Sequence, residues 1–329
     1  MKMNTYTIKI ILFFIIFIYI LLDEKEKGKR IILDVKLPFK HSKKDFENTT
    51  FGILIREHCD SCGLFSYYIK FLGCIVDIIL NGEIPIIDMQ TYGNLYNGFK
   101  DNSSINPWEL FFNQVQGYNL NEVKKYGKKL NYYICPSDIR APNREFFNND
   151  FLIKFWHDMH KLYMTIKSNI VKEADTIMKK YFKKDKNILG ALIRGTDFVS
   201  AKPKSHPIPP KPELLIKDLN KMDKLYNYSY FFLSTEDAII RKKFIKIFGT
   251  KLKYLKYKKD IHYDYKNKKF LYNNDKVVGN IKFVKIYILN IIILSKCLDI
   301  ITCRTNGSVG IFIFTEGFRN SKIYYLGNY

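Results

Sequence analysis

Arg194, Gly195, Thr196 and Asp197 form the stretch of this sequence that is best suited to chemistry on a ligand. They follow an apolar run at 188–193, which is short enough for a buried strand. Charged groups directly after a strand lie at the carboxyl edge of a sheet, where open α/β sheets bind ligands. A guanidinium can hold two phosphate oxygens at once, and Asp197 can orient it or a sugar hydroxyl. An ordinary strand end with an Arg–Asp pair is the alternative.

Two further strand ends carry polar residues. The run 228–234 leads into Ser234, Thr235, Glu236 and Asp237, where Thr235 can cap the next helix and a carboxylate can accept hydrogen bonds from a base or a ribose.

The third strand end has the most features of an anion site. The run 298–303 is followed by Arg304, Thr305, Asn306, Gly307 and Ser308. A helix that starts at Gly307 and Ser308 offers unbonded N–H groups and a dipole that favour a pyrophosphate, and Arg304 adds a cation. Each strand end alone is explained as a plain helix cap. Together, at one edge of one sheet, they predict a nucleotide-diphosphate site.

The elements that position these residues alternate between strands and helices. Apolar strand patterns at 51–55 and 84–89 flank an amphipathic helix at 65–79, which predicts a βαβ unit. A loop-rich stretch at 90–150 and a long helical pattern at 152–177 follow. After residue 186, five strands alternate with helices, which predicts a doubly wound, mostly parallel sheet.

Length and composition set the class of protein. The 329 residues are enough for two domains, and a hydrophobic fraction of 47% supplies a sizeable core. The formal net charge of +22 favours anionic partners. Because the sequence carries no nucleic-acid-binding signature, we interpret most of this charge as a solvated lysine surface and predict no nucleic-acid partner.

The first residues predict a membrane anchor. The apolar segment 5–22 is about long enough to cross a bilayer, and no small-residue cleavage site follows it. Lysines on both sides leave the orientation open. The sequence therefore predicts a single-pass membrane protein with an uncleaved amino-terminal helix.

The cysteines predict unpaired thiols. Cys59 and Cys62 form a lone CxxC pair, for which zinc is a poor explanation without a second pair, and a redox dithiol lacks a thioredoxin-like context. Unpaired thiols favour a reducing compartment. The six cysteines are Cys59, Cys62, Cys74, Cys135, Cys297 and Cys303.

Arg194, Thr196 and Asp197, followed by His206-Pro207-Ile208, resemble the motif of the α1,6-fucosyltransferase group and its bacterial relatives. Further segments of that family are similar to four stretches of this sequence: STEDAII, LSKCLDIITCRTNGSVG, the IYYLG near the end and CGLFS around Gly63. The resemblance covers most of residues 51–329. It implies a GT-B-like α/β fold, in which two Rossmann-type domains face a cleft, and an enzyme that transfers fucose from GDP-fucose to a glycan acceptor with inversion.

The resemblance also implies residue roles. Asp237 would read the guanine, with Glu236 as its neighbour, and Arg194 would neutralise the leaving diphosphate. No DxD-type pair stands in the expected loop, so neither a metal nor a cofactor is predicted. The implied catalytic residues are Arg194, Asp197 and His206, and the implied donor-binding residues are Gly63, Arg194, Gly195, Thr196, Asp237, Arg304, Asn306, Gly307 and Ser308.

Three departures from the family pattern leave the acceptor, the linkage and the base open. Leu192 stands where the family has a histidine, Gly195 replaces the second arginine of its pair, and Lys202 lies near the position of the catalytic glutamate. The alternatives for the base are Asp197, His206, Glu57 and His58.

The predicted organisation has three parts: an anchor and linker at 1–30, an acceptor-side α/β domain at 31–185 and a nucleotide-sugar-binding domain at 186–329. A catalytically inactive, membrane-tethered nucleotide- or polyanion-binding protein with the same fold is the alternative function.

Overall fold

The strands of this protein lie in two parallel sheets. The computed structural model describes residues 41–57, 62–135, 142, 144–256 and 277–329. The first sheet has the order β2-β1-β3 and the second the order β6-β5-β4-β7-β8. The strands are β1 (Thr50–Ile55), β2 (Ile84–Asp88), β3 (Lys129–Ile134), β4 (Ile188–Leu192), β5 (Tyr230–Ser234), β6 (Leu252–Lys253), β7 (Asp299–Cys303) and β8 (Asn320–Tyr324).

Helices connect these strands. Short 3-10 turns at Val115–Gly117, Arg144–Asn148 and Gly249–Lys251 join some of them. The helices are α1 (Lys43–Asn48), α2 (Leu64–Leu80), α3 (Trp108–Phe111), α4 (Leu120–Tyr126), α5 (Asp150–Tyr163), α6 (Ser168–Phe182), α7 (Thr196–Ser200), α8 (Pro212–Tyr226), α9 (Ala238–Phe248), α10 (Ile281–Ser295) and α11 (Asn306–Phe314).

The centre of the second sheet is β4, whose five residues are all buried. An apolar run without alternation suits this position, because helices cover both faces of a central parallel strand. The chain proceeds from β4 through β5 to β6 on one side, and then crosses to β7 and β8 on the other. The strand order therefore reverses between β4 and β7, and ligands bind at the carboxyl side of such a switch point.

The predicted α/β class with parallel sheets is confirmed, but two elements differ from the sequence pattern. Strand β3 falls in the stretch that the sequence predicts as loop. The long helix predicted at 152–177 is two helices, α5 and α6, because Ile166 pairs with Phe112 in an antiparallel bridge. The backbone N–H of Asn113 donates to the carbonyl of Thr165 at 2.9 Å, so this pairing interrupts the helix.

One apolar cluster joins the helices of the two sheets. It contains residues of α2, α5, α6, α10 and α11. Phe65 of α2 rests directly on Gly310 of α11, where an added Cβ would overlap its ring. Because Phe65 is the second residue of α2 and Gly310 the fifth of α11, this contact holds the two amino-terminal ends close together.

The predicted single-pass membrane localisation is wrong for the part of the chain that the structure describes, where no helix combines the length and the apolar character needed to cross a bilayer. The apolar helix α2 has 17 residues and α10 has 15. At about 1.5 Å per residue both are shorter than the roughly 30 Å hydrocarbon core. The segment 5–22, on which the prediction was based, lies outside the described residues.

The prediction of unpaired thiols is wrong for Cys62, which is disulfide-bonded. Cys74, Cys135, Cys297 and Cys303 are buried thiols.

Candidate active site

A cavity of about 350 Å³ lies where the carboxyl edges of the two sheets face each other. Its size is in the range of small-molecule sites. We call the side that follows β1 the first wall and the side built on the second sheet the second wall. The first wall includes Arg56, Gly63, Ser66 and Lys70, and the second wall includes Arg194, Asp197, His206, Ser234, Glu236, Thr305, Asn306 and Gly307.

Two helices begin at this cavity, one from each wall. Helix α2 starts after Gly63, which makes no side-chain cap hydrogen bond, and α11 starts after Thr305, whose hydroxyl accepts from the N–H of Ser308. The first N–H groups of a helix have no partner within the helix, and the dipole makes this end positive. Two such ends on one cavity form a site for an anion with several oxygens.

Arg194 is held in the second wall by two carboxylates. Its Nη2 lies 3.2 Å from Oδ1 of Asp197, and its Nε lies 3.3 Å from Oε1 of Glu236. The guanidinium also stacks 4.4 Å from the ring centre of Phe198. Because these contacts fix the plane of the guanidinium, its orientation toward a ligand is set before binding.

The turn after β4 is strained and tightly bonded. Thr196 has a φ of 45°, which is rare for a β-branched residue. Its N–H donates to Oδ2 of Asp237 at 3.3 Å, and the N–H of Gly195 donates to Oε1 of Glu236 at 3.0 Å. A Cβ on residue 195 would overlap the Asp237 carboxylate, so only glycine fits. Strain that the surroundings enforce in this way is typical of functional sites.

Asp237 and Glu236 have different positions. Asp237 is 3% exposed and caps α9, because its Oδ1 accepts from the N–H groups of Ile239 and Ile240 at 2.8 and 3.1 Å. Of this pair only Glu236 lines the cavity. Asp237, to which the family resemblance assigns guanine recognition, thus lies behind the second wall. Glu236 lies in that wall.

The predicted residues after β7 are split between two environments. Asn306 and Gly307 line the cavity. Arg304 instead stacks on the ring of Tyr325 at 4.1 Å, with Nη1 3.6 Å from a carboxylate oxygen of Glu145. Ser308 is fully buried, and its hydroxyl is bonded to the hydroxyls of Thr302 and Thr305. Its observed role is to shape the start of α11.

His206 and Asp197 are the candidates for the base that line the cavity. Nδ1 of His206 lies 3.0 Å from the carbonyl oxygen of Lys204. Since a carbonyl can only accept, Nδ1 carries the proton and the lone pair of the neutral ring is on Nε2. Glu57 is exposed and is not a lining residue, and His58 lies outside the described residues.

Sequence reasoning missed two cations and a phenol at this site. Arg56 directly follows β1, with Nη1 3.3 Å from the Ser66 hydroxyl and Nη2 2.8 Å from the Cys62 sulfur. Burial lowers its pKa. Lys70 lies in the cavity wall although it is only 6% exposed. Tyr287, whose pKa burial raises to about 12, lines the cavity beside Gly307.

Two signals in the sequence point to these cations. Arg56 occupies the same kind of strand end as Arg194, and Lys70 is a lone lysine in an otherwise apolar stretch of α2. Three cationic side chains and two carboxylates therefore line the cavity, in addition to the two helix ends. Within the described ranges, no group of three or more His, Cys, Asp or Glu side chains is arranged to hold a metal ion.

No family model and no curated protein matches this chain. Among solved structures, NodZ α-1,6-fucosyltransferase soaked with GDP-fucose is 14% identical, with a TM-score of 0.47 over 82% of this chain and 93% of that chain. POFUT1 in complex with GDP-fucose is 9% identical, with a TM-score of 0.47 over 84% and 98%. NodZ from Bradyrhizobium is 13% identical, with a TM-score of 0.45 over 81% and 93%.

These solved structures are fucosyltransferases, the group whose motifs the sequence resembles. At these identities and TM-scores the similarity carries no argument about activity, which has to rest on the geometry of the cavity.

Proposed function

We propose that this protein is a GT-B-type glycosyltransferase that moves fucose from GDP-fucose to a glycan acceptor, with inversion and without a metal ion. The observation that carries the proposal is the convergence of two helix amino-terminal ends and three cationic side chains on one cavity between two parallel sheets. The sequence resemblance is the reason to propose guanine and fucose as parts of the donor. The cavity is the reason to propose its diphosphate.

The diphosphate would lie between the starts of α2 and α11. There its oxygens can accept from backbone N–H groups of both helices, and Arg56, Lys70 and Arg194 supply positive charge. In transfer from a nucleotide sugar, negative charge grows on the leaving diphosphate as the bond to the anomeric carbon breaks. Donors that are already oriented toward this charge stabilise the transition state more than the ground state.

The acceptor hydroxyl would attack the anomeric carbon from the face opposite the diphosphate. Its oxygen forms the new bond to carbon, GDP leaves with the electrons of the old bond, and the hydroxyl proton passes to a base. Nε2 of His206 has the lone pair for this role, and Asp197 is the alternative, although its Oδ1 is engaged by Arg194.

The deciding experiment is to incubate the purified chain with GDP-fucose and measure release of GDP, with and without a mixture of glycan acceptors. GDP-mannose serves as a control for the choice of sugar, and UDP-galactose as a control for the choice of nucleobase. We expect GDP release from GDP-fucose that rises with acceptor. Tight GDP binding without any turnover would favour the inactive binding protein, and failure to bind GDP would refute the proposed transferase.

A further inference from the structure

Cys74 and Cys135 face each other behind the first wall. Cys74 lies in the middle of α2 and Cys135 directly follows β3, and their sulfur atoms are 2.6 Å apart. The two residues are 8% and 3% exposed. Two sulfur atoms that share no bond do not pack this closely, whereas a covalent bond between them needs only a small further approach.

A second observation concerns the oxidation state of the cysteines in the first half of the chain. Cys62, at the start of α2, is disulfide-bonded. Disulfides form and persist in oxidising surroundings, so a chain that carries one folds where a second can form. Cys297 and Cys303 also are buried thiols, but they belong to the second half of the chain.

We propose that Cys74 and Cys135 are a disulfide-forming pair that covalently ties α2 to the end of β3. The oxidant is a low-molecular-weight disulfide such as oxidised glutathione, which reaches the pair in the folding chain before both sulfurs are buried. This inference concerns the fold behind the cavity and does not depend on the proposed function.

The exchange proceeds in two steps. The Cys135 thiolate attacks one sulfur of oxidised glutathione, which breaks its S–S bond and releases one glutathione thiolate. The Cys74 thiolate then attacks the Cys135 sulfur of the mixed disulfide and releases the second glutathione. The two cysteines are oxidised to one cystine, one oxidised glutathione is reduced to two thiols, and the two cysteine protons end on these thiols.

The surroundings favour Cys135 as the first nucleophile. The hydrogen bond with Cys74 lowers the pKa of Cys135, and the nearby positive charges of Lys70 and Arg56 lower it further. A thiolate is the reactive form in exchange, so this cysteine reacts first. Closing the bond removes a titratable thiol from beside Lys70 and Arg56 of the first wall.

The bridge also stiffens the first wall. Lys70 is one helical turn before Cys74 on α2, so a bond at Cys74 anchors the part of the helix that reaches the cavity. The two cysteines are 61 residues apart, and a crosslink over such a distance restricts the unfolded chain strongly.

The test is to unfold and refold the full chain with a mixture of reduced and oxidised glutathione, block remaining thiols with iodoacetamide in denaturant, and digest with trypsin. Cleavage after the flanking lysines and Arg140 yields peptides 71–100 and 130–140, each with one cysteine. We expect them as one linked species that separates on reduction. Both cysteines carrying the alkyl group, or either one linked to another cysteine, would overturn the proposal.

Thermal unfolding gives an independent readout. Without reductant, Cys74→Ser and Cys135→Ser should each lower the melting temperature by about 5 °C. In dithiothreitol, which opens the bridge of the wild type, the differences should vanish. If the deficits persist undiminished in reductant, the two cysteines stabilise the fold by packing alone, and the proposal is wrong.

Discussion

The two walls of the cavity hold their arginines by different means. In the second wall, Arg194 lies against two carboxylates, and the strained turn at Thr196 is bonded to the same group of acidic residues. In the first wall, the described contacts of Arg56 are with a hydroxyl, a sulfur and the ring of Tyr67, and burial lowers its pKa.

The two arginines therefore differ in what their surroundings control, which is the orientation of Arg194 and the strength of the charge interaction of Arg56. Arg194 is oriented by its acidic partners, and an arriving anion must share it with them. Arg56 is a desolvated cation, so an anion at the cavity would relieve an unfavourable environment. We therefore expect the second wall to determine how the donor is placed and the first wall to determine how strongly its charge is bound.

The largest effect is expected for Arg194→Lys. A lysine cannot contact Asp197 and Glu236 and also present two parallel N–H groups to phosphate. We expect kcat/KM for GDP-fucose turnover to fall about 100-fold, or about 2.7 kcal/mol, with the melting temperature little changed. Arg304→Lys is the matched control, since Arg304 packs on Tyr325 outside the cavity, and it should stay within about twofold of wild type. Wild-type kinetics in Arg194→Lys would remove the second wall from the donor site.

The next largest effect distinguishes the two adjacent carboxylates. Glu236 is the carboxylate of this pair that lines the cavity and can accept hydrogen bonds from the guanine edge, so Glu236→Gln should lower GDP affinity measured by calorimetry about tenfold. Asp237→Asn turns one of its two acceptor oxygens into a donor, so either the α9 cap or the bond from the N–H of Thr196 is lost. This should cost about 1 kcal/mol of stability and leave GDP affinity within about twofold. The reverse pattern would assign guanine recognition to Asp237 after all.

A smaller effect is expected on the pH dependence of stability, and it tests the contact between His160 and Tyr68 behind the first wall. Nδ1 of His160 lies 2.7 Å from the hydroxyl of Tyr68 on α2, and burial together with the charge of His157 lowers the pKa of His160 to about 3. Below about pH 6.5 the unfolded chain gains a proton on this ring that the folded chain does not bind, so stability falls as pH falls.

We expect this linkage to lower the free energy of unfolding by about 1 kcal/mol between pH 7 and pH 5.5. Denaturant unfolding of wild type and His160→Gln at both pH values measures it, because other titrating groups contribute equally to the two chains. Identical pH dependence in both would mean that His160 titrates normally in the folded protein.

The smallest expected effect is that of a chelator. Because side-chain cations and helix ends supply the positive charge on both walls, EDTA should leave GDP-fucose turnover unchanged. Turnover lost in EDTA and restored by Mn²⁺ or Mg²⁺ would show that the two walls do not suffice for the diphosphate.

The buried strands and one wall of the site could be predicted from the sequence. Runs such as 188–193 are apolar throughout because they are central in a parallel sheet, and the polar residues after them mark its carboxyl edge. The same rule, applied to the run 51–55, also marks Arg56. This rule does not predict strand β3, because β3 is an edge strand that is largely exposed and shows no apolar run.

The remaining features depend on tertiary structure. Whether Glu236 or Asp237 faces the cavity is decided by where α9 begins, a matter of one residue that spacing does not resolve. The division of α5 from α6 depends on pairing between Ile166 and the distant Phe112. Lys70 lines the cavity from α2, whose start packs against α11 through Phe65 and Gly310.

The most direct test of the central claim, that both walls bind one diphosphate, is calorimetric titration of GDP into wild type, Arg56→Gln and Arg194→Gln. We expect wild type to bind GDP and each variant to bind it at least about tenfold more weakly, since each loses a charge-assisted contact. A wild type that does not bind GDP, or an Arg56→Gln variant that binds it as tightly as wild type, would contradict a diphosphate site shared by the two walls.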